Sequence, residues 1–261
     1  MSDINPTGLD AYNPAQIARL AGAAAVAKAA LPLVPLITLA VMAGIFIALG
    51  AAAYTMVLSG ADGGYGAVRA LGGLVFSLGL ILVIVGGAEL FTGNALMVMA
   101  AVDRRITLKA LLRNWAIVFA GNLAGGLLLA GLVGMSGLLD GPMGAVAAKI
   151  AIAKLALPAG EAFARAILCN MLVCLAVWLT IAARDVTGKI LAIVWPITAF
   201  VLLGLEHSVA NMYLIPQGWL AGAPVTLAGF AGNLVFVTLG NIVGGAGGVA
   251  SVYWLAYRSQ A

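Results

Sequence analysis

Apolar residues run through this chain in long blocks, interrupted at intervals by short polar clusters. Six blocks are predicted to cross a membrane as helices, at about 31–58, 68–102, 107–136, 160–183, 187–214 and 225–257. Each can supply the roughly 20 residues that a helix needs to traverse about 30 Å of hydrocarbon. The blocks are too continuous for the alternating ~10-residue strands of a membrane barrel. Ahead of them, PAQIARLAGAAAVAKAALP predicts a short helix lying at the interface, with Arg19 and Lys28 towards the headgroups. Pro32 and Pro35 fit a bend where that helix turns into the first crossing. The organisation expected is an interfacial segment 1–30, a six-helix unit 31–257 and a short tail 258–261.

Composition agrees: 64% of residues are hydrophobic, 8% are charged and the mean hydropathy is +1.13, well above a soluble globular chain. The start, MSDINPTGLDAYNPAQIARLAG, is polar and carries Asp3 and Asp10. It lacks a basic start followed by an apolar stretch, so it does not read as a cleaved signal peptide. A net charge of +4 would suit nucleic acid, but the cations sit in clusters between apolar blocks, where membrane topology puts them. Nucleic acid is therefore set aside as a partner. Six crossings put both termini on one side, together with Arg19, Lys28, Arg104, Arg105, Lys109, Arg113, Arg184, Lys189 and Arg258. The positive-inside rule then predicts cytoplasmic termini in a cell inner membrane. Arg69, Lys149, Lys154 and Arg165 fall on the other side, most simply as solvated surface cations.

The second and fifth blocks are spoiled alike. GGAELFTGN holds Glu89 and Asn94, and GLEHSVANM holds Glu206 and Asn211. GNLAGG begins 32 residues after Glu89, and GNIVGG begins 34 after Glu206. Matched signatures at nearly matched spacing imply a duplication, with repeats at about 31–136 and 160–257. Because each repeat has three crossings, the halves enter the membrane from opposite sides, a 3+3 inverted repeat with helices 2 and 5 broken near the midplane. Broken helices at that depth must line a cavity or lie buried in protein. Their N-terminal ends suit a small anion. Thr92 and Ser208 are placed to cap the half-helices, and Asn122 and Asn241 need partners that the frayed backbone can supply. Glu89 and Glu206 are expected to bond that same backbone. The spaced glycines of GNLAGG and GNIVGG allow neighbouring helices to approach closely.

An enzyme fits poorly. One histidine excludes a bis-histidine haem, and one His with two Cys supplies no zinc site, so neither metal nor cofactor is expected. No nucleophile elbow, P-loop or Rossmann fingerprint occurs in a suitable context. Cys169 and Cys174 lie roughly 140° apart on a helix and read as packing residues. A scaffold or sensor would need a larger soluble domain, and a cation channel is opposed by the outer lysine and the helix N-termini.

The motifs AELFTGN, ILCNMLVCLAVW, LEHSVANMYLIP and VTLGNIVGG, in that order, resemble the signatures of the formate/nitrite transporter family over residues 30–257. The resemblance implies an all-α integral membrane channel domain, an aquaporin-like protomer with its own pore, and a homopentamer. It implies a channel for small monovalent anions, formate first, with nitrite, hydrosulfide or lactate as alternatives. It assigns Thr92, His207, Asn170, Asn241 and the outer-vestibule Lys154 to the substrate pathway, beside Glu206. Phe76, Leu80, Leu90, Val173 and Phe200 become the hydrophobic constrictions, although periodicity does not set which way the two phenylalanines face. Glu89, Asn94, Asn211 and Asn122 are read as support for the breaks. The short link PQGWLAGAPVT resembles nitrite-type members, whereas GGLVFSLGLIL resembles formate channels. Proton donation by His207 to a weak-acid anion is the expected route past the charge penalty of the bilayer. Trp115, Trp195, Trp219 and Trp254 could mark interfacial belts. Segment 1–30, with few anchors, is a candidate plug of the pore.

Overall fold

The structure, a computed structural model, describes residues 10–60 and 65–258; the first nine residues of segment 1–30 and the tail beyond Arg258 lie outside it. Described residues are helical or in turns, with no strand among them. Helix α1 (Pro14–Ala29) precedes α2 (Leu33–Ser59), the first crossing. The second crossing is α3 (Tyr65–Val85), a break, a 3-10 turn at Gly93–Met97 and α4 (Val98–Val102). The third is α5 (Leu108–Met135). The second half repeats this order: α6 (Pro142–Leu155), α7 (Ala159–Ala182), α8 (Val186–Leu202), a break, α9 (Ser208–Leu220) and α10 (Leu227–Ile242). The last crossing continues through a π-helical stretch, Val243–Ser251, into α11 (Val252–Tyr257). Sequence periodicity did not predict that widening. Each of the six expected crossings has a helical counterpart, five with ends within about three residues and the fifth running on past 214 to Leu220.

α2 packs on α3 and α5, as α7 packs on α8 and α10, and α3 meets α8 across the centre. Small residues bring α2 and α5 together. A Cβ on Gly121 would lie 2.5 Å from that of Ala40, and one on Gly125 would run into the Val41 carbonyl. In the other half, Gly240 and Gly244 stand in the same relation to the carbonyls of Phe163 and Ile167. Backbone contact this close replaces side-chain volume where lipid supplies no hydrophobic drive between helices.

Segment 10–30 is not loosely held, which removes the reason for reading it as a plug. Asn13 forms a capping box with Gln16, and the Tyr12 amide donates to the Ala182 carbonyl at 3.0 Å. Ile17, Ala18, Ala21 and Ala25 are buried. The expected bend is where the sequence placed it, with Pro32 as the N-cap of α2.

Candidate functional site

Both breaks are built by one recipe. α3 ends with Gly87 at φ +85° and α8 with Gly204 at φ +67°, a left-handed conformation that glycine adopts without a Cβ penalty. The next amide reaches back in each case: Ala88 to the Val83 carbonyl at 2.9 Å, Leu205 to the Phe200 carbonyl at 3.0 Å. This is the Schellman ending, which satisfies carbonyls that the helix would otherwise leave bare in hydrocarbon.

The amide side chains of the third crossings bind what remains. Asn122 accepts from the Phe91 amide at 2.9 Å and donates to the carbonyls of Glu89 and Ala40. Asn241 accepts from the Ser208 amide at 2.9 Å and donates to the carbonyls of Glu206 and Ala166. The expected partnership of both asparagines with frayed backbone is present. The Asn241 side chain thereby commits its polar atoms to main chain. Asn170 donates to the carbonyls of Thr92 at 3.2 Å and Asn241 at 2.7 Å, while its Oδ1 is buried without a partner among the described residues. Cys174 lends its thiol to the same Thr92 carbonyl, and both cysteines are buried and free.

The carboxylates do something else than expected. Among the described residues, neither Glu89 nor Glu206 bonds backbone with its side chain. Glu206 takes Lys154 on one oxygen at 2.9 Å and Asn211 on the other at 2.7 Å. Asn211 goes on to Asn233, whose amide donates to the Lys154 carbonyl. In the first half Glu89 takes Lys28 at 2.6 Å and Asn94 at 2.7 Å, Asn94 goes on to Asn114, and Asn114 donates to the Lys28 carbonyl. Two closed circuits thus sit one in each half, four residues in each matched atom for atom. Lys154 is accordingly an ion-paired, mostly buried residue of α6 and not a solvated loop lysine. Trp115 is likewise internal, its indole donating to the Asn94 carbonyl at 3.0 Å.

The circuits carry the symmetry back past the first crossing, to α1 and α6, which sequence reasoning missed. The signal was there: AVAKAALP at 25–32 and AIAKLALP at 151–158 put Lys28 and Lys154 at equivalent places.

His207, not Ser208, caps α9. Its Nδ1 accepts from the Ala210 amide at 3.0 Å. The Ser208 hydroxyl is buried without a partner among the described residues. Since the amide must donate, Nδ1 carries no hydrogen, and the neutral ring holds its proton on Nε2. Nε2 lies 2.9 Å from the Thr92 hydroxyl oxygen. Thr92 in turn makes no capping bond to the turn that follows it. Neither side chain expected to cap a half-helix does so; Thr92 instead meets His207 and so joins the two repeats.

A small cavity of about 10 Å³ lies beside this pair, lined by His207 and by Phe76, Leu80, Leu90, Val173 and Phe200. Such a volume holds about one water molecule. Every residue expected at a constriction is therefore on one wall, with Ile47 and Ile197 added. Phe76 and Phe200 are buried and meet edge to face at 5.4 Å, and Phe200 stacks on the His207 ring at 5.9 Å. Outside the phenylalanines opens a vestibule of about 220 Å³, lined by Arg69, Lys154, Arg165, Glu206 and His207. Arg69 and Arg165, expected to be ordinary surface cations, belong to this wall. Arg69 packs on Gly204, where a Cβ would come within 2.8 Å of its Nη1. On the face that carries the termini, a cavity of about 40 Å³ lies between Lys28, Gly93, Met97 and Val177. Neither Asn170 nor Asn241 lines any of the three.

Fold and site together define a class: an inverted-repeat helical membrane protein with an apolar central chamber and two antechambers, one polar and one mostly apolar. A model of the family described as formate/nitrite transporter matches residues 15–255. The chain is 42% identical to a probable formate transporter of Methanothermobacter thermautotrophicus, over 97% of this chain and 100% of that one. To the formate channel FocA of Escherichia coli strain K12 it is 38% identical, over 96% of each. Among solved structures it resembles an FNT family ion channel, with a TM-score of 0.86, 31% identity, and coverage of 92% of this chain and 98% of that one. It also resembles a pentameric formate channel with formate bound, with a TM-score of 0.80, 39% identity, and coverage of 87% and 98%. This chain belongs to the formate/nitrite transporter family.

Proposed function

We propose that the protein conducts a small monovalent anion, formate in the first place, through the middle of each protomer of a homopentamer. The cell inner membrane, with both termini in the cytoplasm, is the setting that the charge distribution favours. The observation that carries the reading is the chamber: apolar on every side except for one histidine, with cations outside it. Arg69, Arg165 and Lys154 line the vestibule and concentrate anions there, although Lys154 is paired with Glu206 and Arg165 with Glu161. The constrictions strip water, and a bare anion there faces a barrier of several kcal/mol or more.

His207 and Thr92 lower that barrier. With the ring neutral, Nε2–H donates to Thr92, which leaves the threonine hydrogen to offer to a formate oxygen. In acid, a second proton on Nδ1 turns the cap acceptor into a donor facing the Ala210 amide. Release of the Nε2 proton to formate gives neutral formic acid and leaves the ring neutral with its hydrogen on Nδ1; reprotonation at Nε2 and loss of the Nδ1 proton then restore the cap. The neutral acid crosses the apolar constrictions without the charge penalty.

Formate and potassium fluxes into liposomes, measured side by side across pH 5–8, test this. Formate should pass and potassium should not, and the formate rate should change with pH. Potassium flux without formate flux would end the proposal. Nitrite is the second reading, favoured by the short connection of residues 221–226 between α9 and α10, and the same assay ranks the two anions.

A further inference from the structure

The face that carries the termini has another cavity, of about 420 Å³, which shares no lining residue with the chamber or either antechamber. Three arginines from distant parts of the chain converge on it: Arg19 from α1, Arg105 from the link between α4 and α5, and Arg258 just beyond α11. Its floor is apolar and buried, formed by Ala18, Gly22 and Met99. Gly22 gives the Arg105 guanidinium its place, since a Cβ there would come within 2.5 Å of Nη1. Trp254 and Tyr257 close the wall, with the Arg258 guanidinium 5.2 Å above the Trp254 ring. The indole N–H of Trp254 is engaged by Asp103, the one carboxylate among the described residues that line the cavity.

Orientation in a membrane requires cations on a face; it does not require three of them around one hollow. Among the described lining residues the cations outnumber the carboxylate three to one, so the hollow favours an anion. The guanidinium fork matches phosphate oxygens two at a time. Indole and phenol rings settle at headgroup depth, where basic residues attract anionic lipid. We propose that this pocket binds a phosphate group, carried by an anionic phospholipid headgroup or by soluble phosphate.

The test is calorimetric titration of the purified full-length protein with short-chain phosphatidylglycerol, phosphatidylcholine and inorganic phosphate. Wild type should bind phosphatidylglycerol or inorganic phosphate more tightly than phosphatidylcholine. Loss should run to about fivefold per arginine, so on the order of a hundredfold in the Arg19→Gln/Arg105→Gln/Arg258→Gln variant. Replacing all three by lysine should retain part of the affinity, because charge survives and the fork does not. Tight binding of phosphatidylglycerol alone identifies the lipid as the source; equal binding of inorganic phosphate identifies the soluble ion. Equal affinities in wild type and the triple glutamine variant, or no binding of either by wild type, would overturn the proposal. The triple variant should keep wild-type formate flux, which shows that it is folded and separates this pocket from the anion path. If it does not fold, the fivefold loss in Arg105→Gln alone decides the matter.

Discussion

Asn122 and Asn241 each satisfy three backbone groups with one side chain. Replacing either with alanine orphans all three, at about 1–3 kcal/mol for each buried group. Both variants should therefore lower the thermal midpoint in detergent, and by similar amounts, because the two sites are copies. His207 is a different experiment, for it caps a helix and faces the chamber at once. Asparagine also caps well, so His207→Asn should keep most of the wild-type thermal midpoint while the pH dependence of formate flux disappears. His207→Phe should lose both the pH dependence and the cap. A wild-type pH profile in the phenylalanine variant would rule out the proton relay. At this scale the sequence was least legible. Serine is the better capping residue by preference, yet Ser208 lies inside the first turn and His207 precedes it, and one position of register decides the role.

Between elements, the ion pairs are the sharpest case. Lys154 and Glu206 are 52 residues apart, so nothing local in the chain announces their contact. Lys154→Met alone leaves Glu206 buried with a lost partner, a change worth about 3–5 kcal/mol. Lys154→Met combined with Glu206→Gln should recover part of that, which a double-mutant cycle in detergent would read out. Gly125→Val should be worse than either single change, because the added carbons meet the Val41 backbone and α5 must back away from α2; loss of folded protein on size exclusion is the expected result. The breaks, by contrast, were plain in the sequence. A glutamate, a histidine and an asparagine inside apolar blocks have few structural reasons to be there, and recurrence of the pattern fixed the repeat. The π-helical stretch after Ile242 was invisible, since Gly-rich sequence reads the same in either helix.

For the whole molecule, the duplication was legible from two motifs, and the circuits extend it to α1, which the hydropathy pattern had set apart as merely interfacial, and to α6, which it had not marked. Because α1 supplies Lys28 to its circuit, removal of residues 2–20 should do more than free a mouth. The truncated protein should be less stable and should also change formate flux at acid pH; identical flux and stability would mean that α1 is dispensable. Cross-linking or mass photometry of the intact protein should give five copies per particle.

The circuits match in every bond, but their surroundings do not. The Lys28 side chain is 32% exposed beside about 40 Å³ of free space, whereas that of Lys154 is 14% exposed beside about 220 Å³. An ion arriving from one end meets a roomy, guarded hall, and from the other a narrow, wetter doorway. Such a conduit behaves as a diode: under equal and opposite voltages its currents should differ, so the current–voltage curve of a single inserted particle should bend at zero instead of passing straight through it.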